Sequence, residues 1–148
     1  MTIPKKLQDV IDAFSQTPDS FRLPLLLEYS EKIPPLPEHL EGHREQMERV
    51  PECQTPLFLA EEVDDEGRVS IFFDAPREAP TTRGFAGIVS EGLGGLKAEE
   101  ILAVPDDFYT RLGLQKVISP LRMRSMSAIV WRLKRRVRER VEAGQAAS

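Results

Sequence analysis

Leu57-Phe-Leu-Ala-Glu-Glu-Val-Asp-Asp-Glu-Gly-Arg-Val-Ser-Ile-Phe-Phe-Asp74 decides the fold class. Leu57 to Val63 and Arg68 to Asp74 are rich in branched and aromatic side chains, and Val69, Ile71 and Phe73 alternate as one face of a strand must. Between them, Asp64-Asp65-Glu66-Gly67 has the turn chemistry of a hairpin. A third, short strand is predicted just upstream, at roughly Gln46 to Val50. The flanking segments read as helices, so the chain is expected to be α+β, with a small antiparallel sheet of about three strands packed against helices.

Upstream, Leu7, Val10, Ile11 and Phe14 fall at spacings of three and four, predicting a first helix over Lys5 to Phe14. Thr17-Pro18-Asp19-Ser20 reads as a turn with capping residues. A second helix follows over Phe21 to Lys32, with Pro24 tolerated in its first turn, until Pro34, Pro35 and Pro37 stop it. Downstream of the hairpin, Thr81 or Thr82 could cap a helix bearing Phe85, Ile88 and Val89. Gly84 and Gly87 each weaken that helix by about 1 kcal/mol relative to alanine, which points to close packing there. Short helical turns are predicted at Ala98 to Leu102 and at Asp107 to Leu112, the latter ending at Gly113. Ser119-Pro120 is a strong helix start, and Met123, Met126, Val130, Leu133 and Val137 then recur at 3-4-3-4 spacing.

A chain of 148 residues, 41% hydrophobic and 30% charged, is expected to form one domain over 1–148, fraying from about residue 143. The start lacks the apolar core of a signal peptide and no apolar run is long enough to span a bilayer, so a cytoplasmic location is expected. The net charge of -4 hides an asymmetry. Residues 119–148 hold 8 of the 20 Lys and Arg but only Glu139 and Glu142 among the 24 acids. A solvated face opposite the apolar stripe is the simpler account of that basic helix, with Trp131 read as packing. A nucleic-acid surface is the alternative, although aromatics are scarce and no nucleic-acid motif is present.

One cysteine excludes an internal disulfide and any cluster or zinc site built from several thiolates of this chain. On composition alone Cys53 would be a small, inert apolar residue. Its setting in Pro51-Glu-Cys-Gln-Thr-Pro56, a proline-flanked loop leading into a strand, allows the thiol to be presented instead. Glu52 beside it is expected to raise the thiol pKa and lower its thiolate fraction. His39 and His43 could join Cys53 and Glu38 or Glu41 as metal ligands, or supply the base of a Cys-His hydrolase or transferase. Gly42 and the preceding prolines argue against the rigid helix a shared face requires. Gly92-Leu-Gly-Gly-Leu-Lys97 lacks phosphate-loop spacing and reads as a helix-ending turn.

Four motifs in order resemble the SufE-type sulfur acceptors: Pro34-Pro-Leu-Pro37; Arg49-Val-Pro-Glu-Cys-Gln-Thr55; Arg83-Gly84; and Leu112-Gly-Leu114 followed by Ser119-Pro-Leu-Arg122. The resemblance spans roughly residues 20 to 138. It implies a fold related to the IscU-type cluster scaffolds. It also implies a role in iron-sulfur cluster assembly, in which Cys53 takes sulfane sulfur from a cysteine desulfurase of the SufS type, stimulates it, and passes the sulfur to a scaffold of the SufB type. The desulfurase carries pyridoxal phosphate, and the acceptor needs no cofactor, metal, membrane or nucleic acid of its own. Arg122 matches the family's Ser-Pro-x-Arg motif, either as a cation near the thiol or as fold support, and Gln54 and Thr55 shape the loop. The family usually carries Gly-Cys-Gln-Ser, so Glu52 replaces a glycine and Thr55 a serine.

Overall fold

In the computed structural model, which describes residues 3–147, strand β2 (Phe58–Val63) pairs antiparallel with β3 (Val69–Asp74). The two-residue strand β1 (Glu48–Arg49) pairs on the other side of β2, giving the order β1-β2-β3. The Asp64 carboxylate accepts the backbone N–H groups of Glu66 and Arg68, at 2.9 Å each, and Gly67 takes the positive φ of 83° that closes the turn.

The register sorts the sheet into two faces. Leu59 opposite Phe73, Glu61 opposite Ile71 and Val63 opposite Val69 share the face packed on the helices. Phe58, Ala60 and Phe72 lie on the other face, covered by Leu36, Leu40 and Met47 from the proline-rich segment that crosses it. The anomaly is Glu61, a carboxylate on the core-facing side whose side chain is only 1% exposed.

Five α-helices are present among the described residues: α1 (Lys5–Ser15), α2 (Asp19–Tyr29), α3 (Pro80–Leu93), α4 (Ala98–Ala103) and α5 (Pro120–Ala147). Helix α3 is central, burying Phe85, Ile88, Val89 and Leu93, while Met123, Met126, Val130, Leu133 and Val137 bury the stripe of α5. Gly84 and Gly87 are where α2 crosses α3: a Cβ on Gly87 would stand 1.8 Å from the Tyr29 carbonyl oxygen. At Gly113, φ is 75° and the buried Arg22 guanidinium lies over the backbone, donating to the carbonyls of Phe14, Ser15 and Gly113.

Several local expectations are corrected. Helix α2 begins at Asp19 without a side-chain cap, so Pro24 is its sixth residue and leaves the Ser20 carbonyl without its helical donor. Pro80 itself opens α3, because proline at the first position needs no N–H partner, and this frees the Thr81 and Thr82 hydroxyls from capping. Trp131 does not pack: it is 59% exposed, with Arg132 and Arg135 against its ring. The basic side of α5 is solvated only in part: Arg122, Arg124 and Arg138 are exposed, whereas Arg132, Arg135, Arg136 and Arg140 close on Glu48 and Glu61 of the sheet.

Gly87→Ala is expected to destabilise the protein by about 3 kcal/mol, since a new methyl group meets backbone that cannot turn aside. Gly144→Ala, with open space at its Cβ, is expected to stabilise by at most about 1 kcal/mol. Urea unfolding of the two variants measures both.

Candidate functional site

The loop over residues 51–56 joins β1 to β2, and its neck is closed by the Val50 N–H donating to the Leu57 carbonyl at 2.9 Å. A turn in which the Cys53 N–H donates to Val50 O at 3.1 Å sends the side chain inward. There the thiol is 2% exposed and packed with the main core. The Ser125 hydroxyl of α5 stands next to it and acts on the thiol as a hydrogen-bonding neighbour.

Burial is the leading influence on the thiol and pushes its pKa up. The Ser125 hydrogen bond opposes this, Glu52 adds to it, and the Arg132 charge opposes it. At rest, therefore, the group is a protonated thiol. Its neighbour Glu52 is ionised, because two hydrogen bonds from Arg132, Nε and Nη2 each at 3.0 Å, hold its carboxyl below the usual range. The third donor of Arg132, Nη1, reaches Glu48 of β1 at 2.7 Å. Burial alone would raise the Glu48 pKa, but hydrogen bonds from Arg135, Arg132 and Arg136 overcome it and hold the group at about 2.

Outside the thiol lies a cleft of about 210 Å³ whose polar lining is Gln54, Thr55, Glu78, Thr81, Thr82, Arg122 and Ser125, with Phe85 and Leu121 among its apolar residues. The Thr55 and Thr82 hydroxyls are 3.3 Å apart, and Arg122 Nη1 donates to Thr81 Oγ1 at 3.4 Å. Ser125 both lines this cleft and stands next to the thiol, so it forms the wall between them.

The family pattern described as "SufE: Fe-S metabolism associated domain" matches residues 8–137. The chain belongs to the SufE family. An uncharacterized SufE-like protein of Mycobacterium tuberculosis is 51% identical over 138 residues, which cover 93% of this chain and 95% of that protein. The cysteine desulfuration protein SufE of Plasmodium vivax is 28% identical over 104 residues, covering 70% of this chain and 40% of that one. The solution structure of a hypothetical protein from Thermus thermophilus superposes with a TM-score of 0.83 at 40% identity, covering 95% of this chain and 99% of that one.

Of the residues singled out in the sequence, Cys53, Glu52, Gln54 and Arg122 gather at one end of α5 and the loop facing it. Arg122 stands on the cleft, but the guanidinium whose charge acts on the thiol is that of Arg132. Glu52 raises the thiol pKa as expected, yet burial outweighs it. The histidines are elsewhere. His39 pairs with Glu62 and His43 with Glu45, and among the described residues no group of three or more His, Cys, Asp or Glu is placed to hold a metal ion. Ser125 and Arg132 are the residues that the sequence reading missed. They stand seven apart, on one face of α5, and a serine beside an otherwise apolar stripe was the available signal.

Because the folded Glu48 pKa lies below its ordinary 4.5, its contribution is present above that value and lost as pH falls toward about 2. Glu48→Gln is expected to cost about 2 kcal/mol at neutral pH after allowance for solvent screening. It should also flatten the decline of stability through that acid range, which urea unfolding at stepped pH measures.

Proposed function

We propose that this member of the SufE family is a sulfur carrier of iron-sulfur cluster assembly, with Cys53 as the atom that carries. The observation supporting it most directly is a lone thiol on a short loop, sheltered at rest and paired with a hydroxyl rather than with a histidine or a metal-ligand set. That arrangement suits storing sulfur better than hydrolysis. The name of the Plasmodium vivax relative, a cysteine desulfuration protein, points the same way.

In the proposed step, Cys53 ionises and its thiolate attacks the outer sulfur of a persulfide on a SufS-type cysteine desulfurase. A new S–S bond forms on Cys53, the old one breaks, and the desulfurase cysteine leaves as a thiolate. No net oxidation or reduction occurs, and the proton lost by Cys53 is balanced by the one the leaving thiolate gains. A nucleophile on a SufB-type scaffold, or its cluster-forming machinery, then takes the outer sulfur and releases Cys53 as thiolate. A single cysteine suffices because a second thiol nearby would expel the sulfur as sulfide by closing a disulfide.

Ser125 is suited to donate to the Cys53 thiolate, and Arg122 and the Thr81 and Thr82 hydroxyls give the cleft beside it a polar lining for the terminal sulfur of a persulfide. Leu121 and Trp131, 54% and 59% exposed on α5, offer apolar anchors for the desulfurase. The chain needs no cofactor in this scheme, since pyridoxal phosphate belongs to the desulfurase. The setting we propose is the cytoplasm, where a lone thiol stays reduced. No helix among the described residues is long and apolar enough to cross a membrane. A nucleic-acid surface is disfavoured because Arg132, Lys134, Arg135, Arg136 and Arg140 are engaged with carboxylates of the same chain.

Wild-type protein is expected to raise the turnover of a SufS-type desulfurase on free cysteine, and Cys53→Ser to abolish that stimulation, with sulfide release as the readout. His43→Ala is expected to change nothing. Stimulation that survives Cys53→Ser, or is lost with His43→Ala, would sink the carrier reading.

A further inference from the structure

A thiol that is 2% exposed cannot reach a partner's persulfide until the loop over 51–56 opens. The two backbone bonds at its neck, Val50 N–H to Leu57 O and Cys53 N–H to Val50 O, are local to the loop and do not tie its tip to the body. Among the described residues, the tip is tied down by three side-chain contacts. These are the Thr55–Thr82 hydroxyl pair at 3.3 Å, the Ser125 hydroxyl set against the thiol, and the two 3.0 Å bonds between Glu52 and Arg132.

We propose that Glu52 is a positioning residue whose ion pair with Arg132 latches the cysteine loop shut and so sets how often Cys53 is reachable. The purpose of that opening rests on the sulfur-carrier reading; the latch itself does not.

Arg132 is built to be the fixed half. Its Nη1 is held by Glu48, and Glu48 is in turn held by Arg135 and Arg136, so α5 stays fastened to β1 whether or not Glu52 is in place. Glu52 is the movable half, on an exposed loop position with its side chain 41% exposed against 19% for Arg132. A half-exposed, two-point pair is weak enough to break on docking, and shifts an opening equilibrium only about three- to fivefold. A partner that offers Arg132 a carboxylate, or Glu52 a cation, would replace the lost pair as it frees the loop.

The test is the rate at which iodoacetamide alkylates Cys53 in the purified chain with no desulfurase present, divided by the thiolate fraction from each variant's own pH profile. Glu52→Gln and Arg132→Gln alter the charge beside the thiol in opposite senses, yet a latch requires both to accelerate labelling, by about three- to fivefold. Arg132→Lys, which keeps the charge but loses the two-point geometry, is expected to fall between Arg132→Gln and wild type. Raising salt to about 0.5 M should speed labelling of wild type and leave Glu52→Gln unmoved. The latch is overturned if the two glutamine variants move the corrected rate in opposite directions, if neither moves it, or if acceleration tracks loss of global stability in urea. If Arg132→Gln does not fold, Glu52→Gln, Arg132→Lys and the salt series decide the question alone. Because no desulfurase takes part, a failed latch leaves the carrier reading standing. Faster labelling without sulfur transfer would do the reverse.

Discussion

Four arginines of α5 close on two carboxylates of the sheet, and the position of the cysteine loop follows from that seam. Glu61 accepts Arg136 and Arg140 from a strand face that is otherwise apolar, while Glu48 accepts Arg132, Arg135 and Arg136. Removing one side of such a pair strands a buried charge, so α5 has one register against the sheet. That register brings Ser125 to the thiol, Arg132 to Glu52 and Arg122 to the cleft, all from one rigid helix.

Reach and reactivity are coupled at Cys53. Burial is the main cause of the raised thiol pKa, so the movement that exposes the sulfur also removes the main obstacle to its ionisation. A closed loop therefore protects the thiol twice, by access and by protonation. For a carrier whose sulfur must pass between partners and not to solvent, this is a useful property.

Much of this was legible in the sequence where the signal was periodic or local. The stripes of α1 and α5, the hairpin with its acidic turn, and the glycines under Leu26 and Tyr29 are all short-range patterns, and the structure contains each. The proline-bounded loop around Cys53 was visible for the same reason. The ion-pair seam was not, because its partners lie 75 to 88 positions apart and arginines on a helix look solvated when the facing strand is unknown. Glu61 did carry a hint, as a charge between Leu59 and Val63 on one side of a predicted strand. Trp131 misled in the opposite direction, since its place beside the apolar stripe gives no measure of how wide that stripe is. Ser125 gained meaning only once α5 had been laid against the loop.

The claim at the centre of this account is that Cys53 holds a transferable sulfur atom. Intact-mass and peptide spectrometry of the chain after incubation with its own organism's desulfurase and free cysteine tests it most directly. The account predicts a gain of one or more sulfur atoms, confined to the peptide bearing Cys53 and removed by a thiol reductant. An unmodified chain, while the desulfurase itself carries persulfide, would contradict it.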